Sequence, residues 1–240
     1  MYTYHSTVRY SECGSDALLT IPAMINYLQD CSTFHTESIG HGFDYCAERG
    51  IAWFIAAWQI RIFRLPRFTE RIRVSTWCHN MKVTLASRNF LMETEDGNPL
   101  VWADSLWFTF DIVHGRPVRI PSYEMVYLTD DEPLDLPPTQ RKLTLAGKSE
   151  QLPPITVEER HLDMNRHVNN GQYVAMANDL IGARTNGFRP DRILVSYKRA
   201  AQLGDMIVPR FCTEKSGYAV DLTDTDGTSF AVVRMERAAT

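Results

Sequence analysis

The sequence predicts an α+β protein built of two similar halves, each an antiparallel sheet laid around one long helix. Three observations carry this. The chain has 240 residues, more than the ~100–150 that one compact domain usually holds. Six of its twelve prolines, at 121, 133, 137, 138, 153 and 154, crowd around the acidic, turn-rich stretch TDDEPLDLPPTQ, which reads as an exposed joint between domains. On both sides of that joint the pattern runs strand, helix, four strands.

The first helix is read from IPAMINYLQDCSTFHTESIGHG, whose apolar residues fall near helical spacing. Pro22 suits a first turn, and Gly40 and Gly42 suit a stop. IAWFIAAWQIRIF, RIRVSTWCHN, VTLASRNFLMET and PLVWADSLWFTFDI follow, rich in Val, Ile, Thr and aromatics and broken by turn signals such as EDGNP. They predict an antiparallel meander. The second half repeats the plan. ITVEERHL is its first strand and NNGQYVAMANDLIGA its helix, followed by strands from DRILVSYKRA, DMIVPRFCTEKS, GYAVDLTDTDG and TSFAVVRMER. Placing Asn26-Tyr27 on Gln172-Tyr173 aligns the two helices, with a gap ahead of them. A five-stranded sheet around one helix does not cover its own faces and edges, so a second copy within the same chain is the expected solution.

Composition narrows the function. The net charge is −4, and residues 1–120 carry 11 basic against 12 acidic side chains while residues 121–240 carry 14 against 17. Neither half is the polycation that binding to nucleic acid by phosphate neutralisation would require. Five scattered cysteines without a C-x-x-C pair indicate neither a disulfide framework nor a zinc site. The opening MYTYHSTVRYSE lacks an apolar targeting core, and no run approaches a membrane span of ~18 apolar residues. The expectation is a cytoplasmic protein without metal or cofactor.

HLDMNRHVNN, residues 161–170, is the densest polar stretch ahead of a helix. A carboxylate at Asp163 can orient or deprotonate a water. His167 can hold that water or protonate a leaving group, and Asn165 can fix the water or a carbonyl. The first amides of the helix favour developing negative charge. The plain alternative is that Asn169 or Asn170 caps the helix and that Asp163 and His167 are loop residues. A metal reading is weaker, because Asp163, His161 and His167 form no helical i, i+4 ligand pair.

These residues also carry a family resemblance. Asp163-x-Asn165-x-His167-Val168-Asn169-Asn170-x-x-Tyr173 resembles the D-x-N-x-H-V-N-N-x-x-Y element of the acyl-acyl-carrier-protein thioesterases. VRYSE, a helix ending in Gly near position 40, ADSLWFTFDIVHGRPVRIP and SYKR add weaker matches along nearly the whole chain. The resemblance implies a double hotdog: residues 1–128 as an N-terminal hotdog forming the acyl pocket, 129–152 as linker, and 153–240 as a C-terminal hotdog with the catalytic loop. It implies hydrolysis of fatty acyl-acyl carrier protein (acyl-ACP), with Asp163, Asn165 and His167 catalytic and Asn169, Asn170, Tyr173 and Arg199 binding substrate. The implied partner is acyl carrier protein with its phosphopantetheine-linked acyl chain, and a homodimer of the whole chain stays open.

The chain departs from that family where plant members carry Glu and often Cys after the Tyr-x-Arg element. Here the residues are Ala200 and Ala201, so no nucleophile or base stands there. The following AAQLGD looks like single-hotdog acyl-CoA thioesterases, which keeps acyl-CoA as an alternative substrate, and a non-catalytic acyl- or protein-binding module is a further reading. In the first half, Glu12 and Asp16 are candidates to replace the missing carboxylate. Arg61, Arg64, Arg67, Arg71 and Arg73 stand against Glu70 alone; Arg61, Arg64 and Arg67 are therefore candidates for docking an acidic carrier, with Lys198 and Arg199 as a second choice. All five Trp residues lie in the first half, where core packing accounts for most and an acyl tunnel for some.

Overall fold

The computed structural model describes residues 1–237. The chain divides into two compact units, Met1–Thr139 and Gln140–Thr240. Unit 1 contains β1 (Tyr2–Thr7), α1 (Ile21–Ser38), α2 (Phe43–Arg49), β2 (Ile51–Ile62), β3 (Arg71–Met81), β4 (Ala86–Thr94), β5 (Pro99–Asp111) and β6 (Arg116–Val118). Its sheet runs β1-β3-β4-β5-β2, antiparallel throughout, with β6 on β5. Unit 2 contains β7 (Glu150–Gln151), β8 (Ile155–Thr156), α3 (Asn170–Gly182), β9 (Arg192–Tyr197), β10 (Met206–Glu214), β11 (Gly217–Thr223) and β12 (Ser229–Glu236). Its sheet runs β9-β12-β11-β10, and β10 also pairs with β7 and β8. With β8 in the place of β1 and β9–β12 in the places of β2–β5, the two units share one strand order. The repeat read from the element pattern is therefore one of topology.

Each helix forms where capping and burial agree. Thr20 accepts the Ala23 N–H at 3.3 Å and starts α1, with Pro22 in the first turn. Met24, Ile25, Leu28 and Cys31 then form the buried stripe, which packs on β3. Burying such side chains contributes ~1.5–3 kcal/mol each. In unit 2, Asn169 accepts the Gly171 N–H at 2.8 Å, and Tyr173, Val174, Ala177 and Ile181 are buried as α3 packs on β11 and β12.

Four expectations are corrected. The chain after Gly40 forms a further short helix, α2, because the Glu37 carboxylate accepts the Phe43 N–H at 2.9 Å; a Cβ on Gly42 would lie 2.1 Å from that carboxylate. ITVEERHL is strand only at Ile155–Thr156, since Glu159–His161 is drawn into a 3₁₀ turn in which the His161 Nδ1 accepts the Glu158 N–H at 3.0 Å. The helices align through their caps, Thr20 with Asn169, so Asn26-Tyr27 does not match Gln172-Tyr173 and no gap precedes the helices.

The fourth correction concerns the joint, which is not a free linker. Asn89 Oδ1 accepts the Leu134 N–H at 2.9 Å, Gln59 donates to the Pro137 carbonyl at 2.6 Å and Trp77 to that of Glu132 at 3.1 Å. Residues 132–139 thus strap the unit 1 sheet. In unit 2, Leu143 is buried against Leu194 and Val232. Buried sheet-face polar groups such as Asn89 require partners, and the Pro-rich segment provides them.

Candidate active site

The loop 161–169 is a closed turn. The Asp163 N–H donates to the His167 carbonyl at 2.8 Å, the Arg166 N–H to the Asp163 carbonyl at 3.0 Å and the Asn169 N–H to the His161 carbonyl at 2.9 Å. Arg166 sits at φ +60°, a left-handed conformation that costs a non-glycine residue of order 1 kcal/mol. The Asp163 carboxylate holds the turn from inside: one oxygen, Oδ1, accepts the N–H groups of Asn165 at 2.8 Å and His167 at 3.3 Å. Its other oxygen has no protein donor among the described residues. The turn leaves Asn165 exposed and Asp163 and His167 half-buried.

His167 and its neighbour Val168 are joined to a second loop. His167 bridges Gln202, and the Val168 N–H donates to the Ala201 carbonyl at 2.9 Å. The His167 Nδ1 is buried without a hydrogen-bond partner among the described residues, an arrangement that costs ~1–3 kcal/mol when unrelieved. Below both loops Tyr173 is buried, and its hydroxyl accepts the Ala201 N–H at 2.8 Å; burial pushes its own ionisation up to about 12. The Asn170 carbonyl accepts the Tyr197 hydroxyl at 3.0 Å. Asp163, Asn165, His167 and Asn169 are thus brought onto one turn, whereas Tyr173 and the Asn170 backbone are occupied in supporting it. Burial and the Arg160 guanidinium push the His161 imidazole down from its usual range.

Arg199 belongs to the second loop. Its guanidinium pairs with Asp224 at 2.6 Å and stacks 4.4 Å over Phe230. Together with Gln202, Asp205 and Met206 these residues line an open cleft of about 590 Å³. The backbone after Ala201 forms the cleft wall, a role that AAQLGD announces only through its turn-forming Gly204 at φ +85°.

Unit 1 carries the same turn with different side chains. The Gly14 N–H donates to the Leu18 carbonyl at 2.9 Å, the Ala17 N–H to the Gly14 carbonyl at 3.0 Å and the Thr20 N–H to the Glu12 carbonyl at 2.9 Å, and Ala17 also sits at φ +60°. Residue for residue, Gly14 stands where unit 2 has Asp163, Asp16 where it has Asn165, and Leu18 where it has His167. The candidate replacement carboxylates are both committed. Glu12 accepts from the Arg9 backbone and from the Tyr27 hydroxyl, each at 2.8 Å, and Asp16 accepts the Leu18 N–H at 3.0 Å.

The arginine cluster is partly neutralised. Arg64 forms a two-pronged pair with Glu70 at 2.9 and 2.6 Å, Arg73 pairs with Glu93 at 2.8 Å, and Arg61 lies 4.7 Å over Phe63. Glu70 is therefore not the sole acid facing the five arginines, since the pairing of β3 with β4 brings Glu93 opposite Arg73. Trp58 is core, and Trp53 donates to the buried Glu124 at 2.9 Å.

Repeated antiparallel sheets around single helices, with a polar turn capping the second helix, define a hotdog-like α+β class. The family model of the acyl-ACP thioesterase N-terminal domain matches residues 1–126 and that of the C-terminal domain residues 146–235, so the chain belongs to the acyl-ACP thioesterase family. Among curated relatives, an acyl-[acyl-carrier-protein] hydrolase of Cuphea viscosissima is 28% identical over 70% of this chain and 44% of its own length. A palmitoyl-acyl carrier protein thioesterase of Gossypium hirsutum is 24% identical over 72% and 45%. The chain thus spans a little under half the length of these relatives. Among solved structures, an acyl-ACP thioesterase from Bacteroides thetaiotaomicron superposes with a TM-score of 0.88 at 20% identity, covering 98% of this chain and 96% of that one. The 12:0-ACP thioesterase from Umbellularia californica gives 0.84 at 20% identity, with coverage of 98% and 96%. These two share the fold.

Proposed function

We propose that this chain, as a double hotdog, hydrolyses the thioester of fatty acyl-acyl carrier protein and releases free fatty acid and the carrier thiol. The observation that carries the reading is the turn Asp163–His167 itself: its backbone is reproduced in unit 1 by residues that cannot do the chemistry, whereas unit 2 presents a carboxylate with one free oxygen, an exposed amide and a ring nitrogen lacking a partner. A structural cap alone requires only Asn169.

In this mechanism the free oxygen of Asp163 takes a proton from a water whose oxygen attacks the thioester carbonyl carbon. Asn165 holds the water or the carbonyl oxygen, and the first turn of α3 favours the oxyanion. Collapse breaks the carbon–sulfur bond, and the departing thiolate takes a proton from His167 or solvent, which the proton held by Asp163 then replaces, restoring the starting carboxylate. Ala200 and Ala201 offer neither nucleophile nor base, so water attacks directly. The first unit, with Gly14 and Leu18 in the matching turn, is left a binding role.

The test is turnover of the purified chain on acyl-ACP and acyl-CoA carrying the same acyl group. Faster release from the carrier protein is expected. A preference for CoA makes the chain an acyl-CoA thioesterase, and turnover of neither makes it a binding module.

A further inference from the structure

A buried cation in unit 1 has no acid to pair with. Arg88 of β4 is 7% exposed, and its Nη1 donates to the His35 Nδ1 at 3.0 Å and to the Thr76 hydroxyl at 3.3 Å, both uncharged acceptors. Among the described residues it forms no ion pair. The two buried acids of the unit are committed elsewhere. Asp104 accepts from Asn89 and pairs with His79 on the strap face of the sheet, and Glu124 accepts from Trp53 at 2.9 Å with His41 3.7 Å away. An arginine stays charged, and a buried charge with no opposite charge beside it is costly.

The same face of the sheet holds further donors without acceptors. Trp58 stands opposite Ser105 and Ser105 opposite Arg88, and directly opposed side chains share a face, here the one on which Arg88 meets His35 of α1. Ser105 is satisfied, donating to the Arg88 carbonyl at 3.0 Å and accepting from Trp107 at 2.7 Å. The Trp58 Nε1 is buried with no hydrogen-bond partner among the described residues, and so is the hydroxyl of Tyr127, whose ring centre lies 5.4 Å from the Arg88 guanidinium carbon. Indole and guanidinium nitrogens only donate, and a phenol can donate with them. What this face lacks is an acceptor, and a negatively charged one. Tyr127 also packs with Cys78 and Ala86 against Ile39, Met81, Trp107 and Ile120, apolar surroundings that suit methylene groups.

We propose that unit 1 binds the far end of an acyl chain that terminates in a carboxylate, with Arg88 as its counter-charge and the Tyr127 hydroxyl as a second donor, so that the substrate is the monothioester of a dicarboxylic acid. The proposal rests on the thioester-hydrolysis reading and on the binding role it leaves to unit 1, and adds the class of acyl group. A carboxylate accepts from a guanidinium in charge-assisted bonds about twice as strong as neutral ones. A terminal methyl leaves the cation and the phenol unrelieved, and a terminal hydroxyl meets the donors without neutralising the charge.

The test follows turnover of N-acetylcysteamine thioesters of fatty acids of increasing length, beside counterparts ending in a carboxylate or a hydroxyl, together with calorimetric binding of the matching non-hydrolysable amides. At the length that reaches Arg88, the carboxylate-ended thioester should exceed both counterparts by ~10-fold or more in kcat/KM, the size of one hydrogen bond to a charge. Arg88→Met should remove that preference and leave turnover of the methyl-ended series equal or faster, since replacing a buried charge by an apolar side chain is often neutral or stabilising. Tyr127→Phe deletes a hydroxyl that has no partner, so it should keep the wild-type urea midpoint and lower the preference by ~3-fold; it carries the comparison alone if Arg88→Met does not fold. Preference for a methyl or hydroxyl end at every length overturns the proposal and leaves the hydrolase reading standing. A carboxylate preference that survives in Arg88→Met, or is untouched in Tyr127→Phe, also overturns it. A chain that binds the carboxylate-ended amide through Arg88 but cleaves no thioester upholds the binding site and refutes the hydrolase reading.

Discussion

The hydroxyl of Tyr173, buried in α3, accepts the backbone N–H of Ala201 at 2.8 Å and so fixes the loop on which His167 and Val168 rest. One helix residue thereby sets the register of two loops at once, because Val168 donates to the carbonyl of the same Ala201. Replacing Tyr173 with Phe removes the acceptor and leaves a buried N–H unpaired, at a cost of ~1–3 kcal/mol. Urea unfolding should show that loss, and kcat should fall by ~3–10-fold while KM holds. Unchanged stability and turnover would show that the bond is incidental.

Asp163→Asn, Asn165→Ala and His167→Ala should each lower turnover by ~10²-fold or more, the usual size of one acid/base or oxyanion contact. Asp163→Asn retains an amide oxygen for the Asn165 and His167 N–H groups, so its fold should persist by circular dichroism. Near-wild-type turnover in all three refutes the site assignment.

No cysteine is expected to act as nucleophile. Cys31, Cys78 and Cys212 are buried and Cys13 and Cys46 half-buried; burial pushes Cys31 up to about 12, which keeps it a thiol. The Cys13→Ser/Cys46→Ser variant should keep its turnover and resist alkylating agents. Stoichiometric inactivation at one thiol, prevented by substrate, contradicts this.

His35 predicts a pH dependence of stability. Burial, with the Arg88 guanidinium donating to its Nδ1 at 3.0 Å, lowers its pKa to about 4 from an ordinary value of 6.5. Between those values the unfolded chain binds a proton that the folded chain excludes, so this contribution is complete above pH 6.5 and lost as pH falls toward 4. At ~1.4 kcal/mol per pH unit, the difference between the two values corresponds to about 3.4 kcal/mol, which solvent screening of the partly exposed ring reduces to roughly 2 kcal/mol. His35→Gln, which keeps an acceptor for Arg88 but does not titrate, should flatten urea midpoints between pH 7 and 4. An unchanged slope would assign the dependence to other groups.

Much of this protein is determined locally and is legible in the sequence. Helix starts follow from caps and Pro22, strands from runs of β-branched and aromatic residues, and the Asp163–Tyr173 motif from residue types at fixed spacing, because each depends on neighbours within a few positions. What only the tertiary structure decides depends on residues far apart in the chain. Glu93 reaches Arg73 through strand pairing, Tyr173 reaches Ala201 through helix packing, and the Pro-rich joint becomes a strap because buried Asn89 and Gln59 need partners from it. Glu12 meets the Tyr27 hydroxyl only because the fold carries α1 back over the turn. The equivalence of the two capping turns is likewise hidden in sequence, where Gly14 and Leu18 bear no likeness to Asp163 and His167: backbone hydrogen bonds and a left-handed residue at the same place define that turn, and side-chain identity does not.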